Sequence, residues 1–183
     1  MNPTIFSPSP RLDCRRGAAS HAAGALAGLT RDNAVLLVVD YQVGPLWELE
    51  FGVMRRRALD LVTAARRSSI PTIFAVSDPD DHGPVIPELT RACPDAPVVV
   101  RPAVNAWEAG LRDAVAGTGR SALIIVGATT KLAVALCALA AADDGYDAYV
   151  VFDAPGPPID GSHWLRDRVL VASFASVAAA LER

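Results

Sequence analysis

The sequence predicts a single three-layer α/β/α domain with a mostly parallel central sheet. Two observations carry that prediction. From Asn33 onward, short runs rich in valine and isoleucine recur at 34–39, 72–76, 98–100, 122–126 and 148–152, apolar almost throughout. Strands buried on both faces have this appearance, as in a parallel sheet, where helices cover both faces. Between the runs lie segments of helical length, at about 51–68, 87–92, 106–117, 131–144 and 162–181. Strand–helix alternation of this kind predicts βαβ units with right-handed crossovers.

Taken in order, the chain begins with an N-terminal arm over 1–30, which Pro3, Pro8 and Pro10 break up and which offers little to pack. Arg15 and Arg16 follow, and no apolar segment precedes a cleavage site, so a secretory leader is not expected. The domain itself is placed at 31–183, and the arm either stays loosely ordered or lies across a neighbouring subunit. The helix at 51–68 turns Val53, Leu59, Leu61 and Val62 towards the sheet and its arginines elsewhere. The segment 131–144 is apolar almost all round, which predicts a helix buried on every side. The last segment, 162–181, carries Trp164 and an apolar stretch from Val169 to Leu181, which either covers the sheet or supplies a subunit interface.

Composition narrows the classes of function. With 183 residues, 51% of them apolar, the chain is long enough to bury one core of ordinary size. Aromatics are scarce at 6%, so alanine and valine must fill that core. The net charge is −3, and the densest basic stretch, Arg55 to Arg57 with Arg66 and Arg67, reads as a solvated helix face; no nucleic-acid partner is expected. No apolar run is long enough for a bilayer, so no membrane association is expected either. Cys14, Cys93 and Cys137 share no metal-type spacing and are odd in number, which points to a reduced, cytoplasmic setting. Asp78, Asp80, Asp81 and His82 lack a second histidine nearby and read as a polar turn, so no metal is expected. Neither a phosphate loop nor a dinucleotide fingerprint occurs, and no cofactor is expected.

In parallel sheets ligands bind at the carboxyl ends of the strands. That rule selects Asp40 with Tyr41 and Gln42, the segment Ser77 to His82, Arg101, and Gly127-Ala-Thr-Thr130. Asp40 closes an apolar strand, where a carboxylate is either a general acid/base or a loop aspartate. Arg101 either neutralises Asp40, clamps a substrate carboxylate through two parallel hydrogen bonds, or points to solvent. Gly127 to Thr130 leads into a helix whose first N–H groups suit an anion or oxyanion, with Thr130 as a cap; plain helix initiation is the alternative. Cys137 lies inside the apolar helix, where a cysteine is more often inert than nucleophilic.

Together these segments resemble the isochorismatase-like hydrolase superfamily, which includes nicotinamidases, N-carbamoylsarcosine amidases and isochorismatases. The resemblance runs from about Asn33 to the C-terminus. It rests on Ala34-Val-Leu-Leu-Val-Val-Asp40-Tyr-Gln42, Pro84-Val-Ile-Pro-Glu-Leu89, Arg101-Pro-Ala-Val-Asn105-Ala-Trp107 and Leu123-Ile-Ile-Val-Gly127-Ala-Thr-Thr130-Lys-Leu-Ala133. The second and third look most like a subgroup of bacterial cysteine hydrolases of uncertain substrate that form large oligomers.

The resemblance implies a hydrolase built on an aspartate, a lysine and a cysteine, without a cofactor, acting on a small molecule as a homo-oligomer. The aspartate matches Asp40, the lysine position falls on Arg101, and the cysteine position falls on Ala133. It also implies that Gln42, Asn105, Trp107, Thr129 and Thr130 surround the substrate, with a cis peptide between Thr129 and Thr130. Alanine cannot form a thioester, so the covalent route to amide hydrolysis is lost at Ala133. The isochorismatases of the superfamily also lack the cysteine and hydrate a vinyl ether with the aspartate and water, a route open to Asp40. Arg101 holds its proton too tightly to shuttle it and is left to orient and neutralise. Cys137, one turn beyond Ala133 and away from the helix N-terminus, is the alternative nucleophile. A non-catalytic binding or structural subunit is the competing reading.

Overall fold

The computed structural model describes residues 26, 28–44, 52–102, 105–128, 131–151 and 169–181. Strand β1 (Ala34–Val39) leads to helix α1 (Gly52–Arg67) and strand β2 (Thr72–Ser77). Two short helices follow, α2 (Pro79–His82) and α3 (Pro87–Ala92), then β3 (Val98–Arg101) and α4 (Ala109–Ala116). Next come β4 (Ala122–Gly127), α5 (Lys131–Asp143), β5 (Asp147–Val151), β6 (Leu170–Ala172) and α6 (Phe174–Leu181). The strands form one sheet in the order β3-β2-β1-β4-β5-β6, and every neighbouring pair is parallel. The order reverses between β1 and β4, so the crevice at a topological switch point lies at the carboxyl ends of those two strands.

The runs of β1, β2, β4 and β5 are apolar because each of these strands feeds two cores. Along β1, Ala34, Leu36 and Val38 point into one cluster, which α1 completes with Ala58, Leu61, Val62 and Ala65, α3 with Leu89, and α6 with Val177, Ala180 and Leu181, whereas Val53, expected to face the sheet, is exposed at the start of α1. Val35, Leu37 and Val39 point into the other, completed by Leu111 and Val115 of α4 and by Val134, Ala135, Cys137, Ala138 and Ala141 of α5. This is the expected three-layer arrangement, and the period of two along each strand is what divides the side chains between the layers. Leu26 and Leu29, from the stretch assigned to the N-terminal arm, are buried in the first cluster. The part of the arm before Leu26 lies outside the described residues, as do Cys14, Thr129, Thr130, His163 and Trp164.

The final helix is shorter than its apolar pattern implies. A strand, β6, occupies Leu170–Ala172 and pairs with β5 through Tyr149↔Leu170, Val150↔Val171 and Val151↔Ala172. Val169 to Ala172 is apolar enough for either state, and pairing with an already formed sheet decides for the strand. Helix α6 then starts afresh: the Ser173 hydroxyl oxygen accepts the Ser176 N–H at 3.1 Å, a serine N-cap. That cap was the signal in the sequence for a break at 173. Residues 79–82, read as a polar turn, form the single helical turn α2, opened by Pro79 after a left-handed Asp78 with φ of 39°.

Helix α5 packs on the sheet at very short range. A Cβ on Gly127, the last residue of β4, would lie 2.1 Å from Cγ2 of Val134 and 3.7 Å from Cβ of Val39. Only glycine lets the first turn of α5 settle against the ends of β1 and β4. Gly127→Ala is expected to lower stability by about 1–3 kcal/mol, as overpacking does, in urea denaturation followed by circular dichroism.

Candidate functional site

Asp40 stands immediately after β1, with its N–H bonded to the Ala75 carbonyl of β2 at 2.9 Å. Its φ is 57°, in the left-handed region that aspartate tolerates better than most side chains and β-branched residues scarcely at all. The turn ends the strand and leaves the carboxylate at the sheet's carboxyl edge, only 3% exposed. Arg101 closes β3, two strands away, and its side chain crosses the end of β2 to meet Asp40. Nε donates to Oδ1 of Asp40 at 3.2 Å and Nη2 donates to Oδ2, a fork that engages both carboxylate oxygens. Arg101 is 7% exposed, so both charges are withdrawn from water together. Such a pair is held in place by its own cost of separation, because either charge alone in that setting is strongly unfavourable.

The opening turn of α5 lies against the same edge. The Ala128 N–H bonds to the Val39 carbonyl at 3.1 Å, which fastens the residue after β4 to the residue before Asp40. Val134 then sits against Gly127, with the buried Ala133 beside it. Cys137, one turn further, is buried within the apolar layer between α5 and the sheet. Burial pushes its thiol up to about 12, and the positive charge of Arg101 offsets only part of that rise. At neutral pH Cys137 is a protonated thiol with no access to solvent, the opposite of the exposed thiolate that nucleophilic attack needs.

Gln42 is fully buried and spends its amide on the protein. Its Nε2 donates to the carbonyls of Ser77 at 2.8 Å and Gly83 at 2.7 Å, and its Oε1 accepts the Ser77 N–H at 3.0 Å. It thereby clasps both ends of the Ser77–Gly83 loop, while Val43, Gly44 and Ile86 add backbone bonds between the segments 41–44 and 82–86. The His82 ring lies in the same loop, Nδ1 3.1 Å from the Ser77 carbonyl oxygen. Tyr41, between Asp40 and Gln42, is buried, and burial pushes its phenol well above the usual range. The clasp at Ser77 and Gly83 is made by backbone atoms and had no side-chain signal in the sequence.

Asn105 and Trp107 lie on the segment between β3 and α4. The Asn105 side-chain oxygen accepts the Trp107 N–H at 3.0 Å, a local turn that leads into α4. The Trp107 indole N–H donates to Oδ2 of Asp144 at 2.7 Å, and its ring meets Tyr146 edge-on at 5.3 Å. Asp144 follows the last residue of α5, eleven positions and therefore about 16 Å along the helix from Ala133. Arg112 also bonds Asp144, at 2.9 Å, and these residues line an open depression of about 400 Å³ with Ala109, Asp113 and Ala116. The structure thus brings Asp40, Arg101, Gln42 and the first turn of α5 to one edge and directs the Trp107 indole to the far end of α5. Thr129 and Thr130, with the expected cis bond between them, fall outside the described residues. Among the described residues no group of histidine, cysteine or acidic side chains is arranged to hold a metal ion.

Two measurements check this geometry. Arg101→Met removes the guanidinium from a buried carboxylate and is expected to cost about 3–5 kcal/mol in urea denaturation at neutral pH, while Asp40→Asn with Arg101→Met regains most of that loss. Native protein treated with iodoacetamide at neutral pH should carry the label on Cys93, which is partly exposed, and not on Cys137. Both should react after denaturation, as read by peptide mass spectrometry; rapid native labelling of Cys137 would contradict the burial.

Comparison with known proteins agrees with the fold. The model of the isochorismatase domain matches residues 34–178. The probable hydrolase YcaC of Escherichia coli strain K12 is 37% identical over 134 residues, which cover 70% of this chain and 64% of the relative's own length. The crystal structure of the E. coli YcaC gene product, an octameric hydrolase of unknown specificity, superposes with a TM-score of 0.74 at 35% identity, covering 85% of this chain and 82% of that one. YcaC from Pseudomonas aeruginosa, solved with hexane-2,5-diol and covalent acrylamide, superposes with a TM-score of 0.76 at 34% identity, covering 85% and 83%. A match over residues 34–178 takes in the sheet, the Asp40–Arg101 pair and α5, and the chain belongs to the isochorismatase domain family.

Proposed function

We propose that the chain is a hydrolase that works without a cysteine nucleophile, using Asp40 and water on a small carboxylated or enol-ether substrate. The buried Asp40–Arg101 pair at the switch point of the sheet carries this reading. A carboxylate fixed there by a bidentate guanidinium has its charge and direction set before a substrate arrives. Ala133 occupies the place that the resemblance gives to the nucleophile, and an alanine methyl can form no thioester. Cys137 is a poor substitute, since its thiol is buried and protonated. For an enol ether the balanced chemistry needs no covalent enzyme intermediate. A proton is added to the enol carbon, water adds to the ether carbon, and the hemiketal so formed separates into a ketone and an alcohol. In this reading Asp40 takes a proton from solvent water and passes it to the enol carbon, then directs the water that adds, while Arg101 and the N–H groups at the start of α5 hold the substrate's negative charge.

One observation favours a second reading, a binding or structural subunit. Both oxygens of Asp40 are already engaged by Arg101, so the pair also serves as a stable strut across the strand ends. In either reading the chain assembles with copies of itself, as the octameric relative does, and works in a reducing, cytoplasmic setting, to which the free Cys93 and Cys137 are suited.

The deciding experiment measures pyruvate from isochorismate and other enol-pyruvyl ethers, and ammonia from primary amides, with wild-type and Asp40→Asn protein. Pyruvate release that falls about 100-fold or more in Asp40→Asn is the expected result. Ammonia should appear, if at all, only after Ala133→Cys. Silence of the wild type across the panel, with a carboxylated ligand still raising the melting temperature, would transfer the assignment to the binding subunit.

A further inference from the structure

The sheet face that packs under α1, α3 and α6 does not end where its helices do. Phe74 and Val76 of β2 are buried on that face, and the register sets Val98 beside Phe74 and Val100 beside Val76. Residues in register on neighbouring strands point to the same side. Val98 and Val100 therefore continue the apolar face outward, yet they are 51% and 57% exposed. Val99, between them, turns the other way, and its Cγ1 lies near Gly110 of α4. Strand β3 is also an edge of the sheet. The Phe74 N–H bonds to the Pro97 carbonyl at 2.9 Å, so alternation turns the backbone N–H and C=O of Val98 and Val100 away from β2.

We infer that β3, through Val98 and Val100, is the core of a contact between two copies of this chain. The inference rests on the homo-oligomer reading above and names the surface that forms it. Three features favour a second copy as the occupant. First, a relative 35% identical over most of this chain is octameric. Second, an exposed strand edge carrying its own apolar pair is self-complementary: under a two-fold axis the same residues meet from both sides, as the common closed oligomers require. Third, the strand is only four residues long and is bracketed by Pro97 and Pro102. Prolines at both ends prevent open-ended strand addition and restrict this edge to a short contact of fixed length. Two valines fill a small part of the roughly 800 Å² per partner of an ordinary interface, which suits a core with a wider rim around it. Because Arg101 ends this strand, the contact would adjoin the Asp40–Arg101 pair.

The test is the mass of the full chain in solution by sedimentation velocity across a dilution series. Variants are Val98→Lys with Val100→Lys, the milder Val98→Thr with Val100→Thr, and Val53→Lys, a valine 54% exposed on α1, as the control. Circular dichroism establishes that each is folded. The wild type and Val53→Lys are expected to assemble alike. The lysine pair should shift to a smaller species, with dissociation constants raised at least about tenfold, and the threonine pair should fall between. An assembled wild type whose mass is unchanged in both β3 double variants overturns this inference and leaves the homo-oligomer reading standing. A monomeric wild type at micromolar concentration overturns both.

Discussion

The buried pair between Asp40 and Arg101 is the constraint that ties this structure together. It joins the residue after the central strand β1 to the last residue of the edge strand β3, across the end of β2. A charge that deep is tolerated only beside its counter-charge, so the pair dictates how far β3 may slide or twist relative to β1. The left-handed turn at Asp40 and the hydrogen bond from its N–H to Ala75 serve the same end, since both fix where the carboxylate starts from. Among the described residues, the other buried polar side chains are Gln42 and Thr72. Gln42, the other buried polar side chain at this edge, has its amide engaged by the Ser77–Gly83 loop and braces the floor on which the pair stands.

The strands and the layering were legible in the sequence because burial on both faces leaves a simple trace, an unbroken apolar run. The final segment was not, because Val169 to Leu181 is apolar whichever way it folds. There the outcome depended on a long-range fact, the free edge of β5, and on one local cap at Ser173. Asp40 and Arg101 were legible as strand-end charges, and the structure places them on one another. Which strand lay between them, and that Arg101 would grip both oxygens, required the topology.

Gln42 and Trp107 show the opposite limit. Both are polar-tipped residues in segments that resemble a family's site, and the sequence offered no way to see what their tips would reach. Gln42 meets the main-chain carbonyls of Ser77 and Gly83, 35 and 41 positions away, and Trp107 meets an aspartate beyond the far end of α5. Hydrogen-bond partners that are backbone atoms, or side chains nearly forty positions away, leave no mark in local composition. Family resemblance locates such residues in a segment without fixing the direction in which each side chain points.

The close seating of α5 on Gly127 has an evolutionary consequence. The first turn of α5 is seated where the Val134 side chain meets Gly127, with the small, buried Ala133 beside it. Substitution at 127 is therefore narrowly limited, because any side chain there would have to displace Val134. A glycine required by packing alone would persist in a lineage built on this scaffold, whatever reaction the strand ends perform.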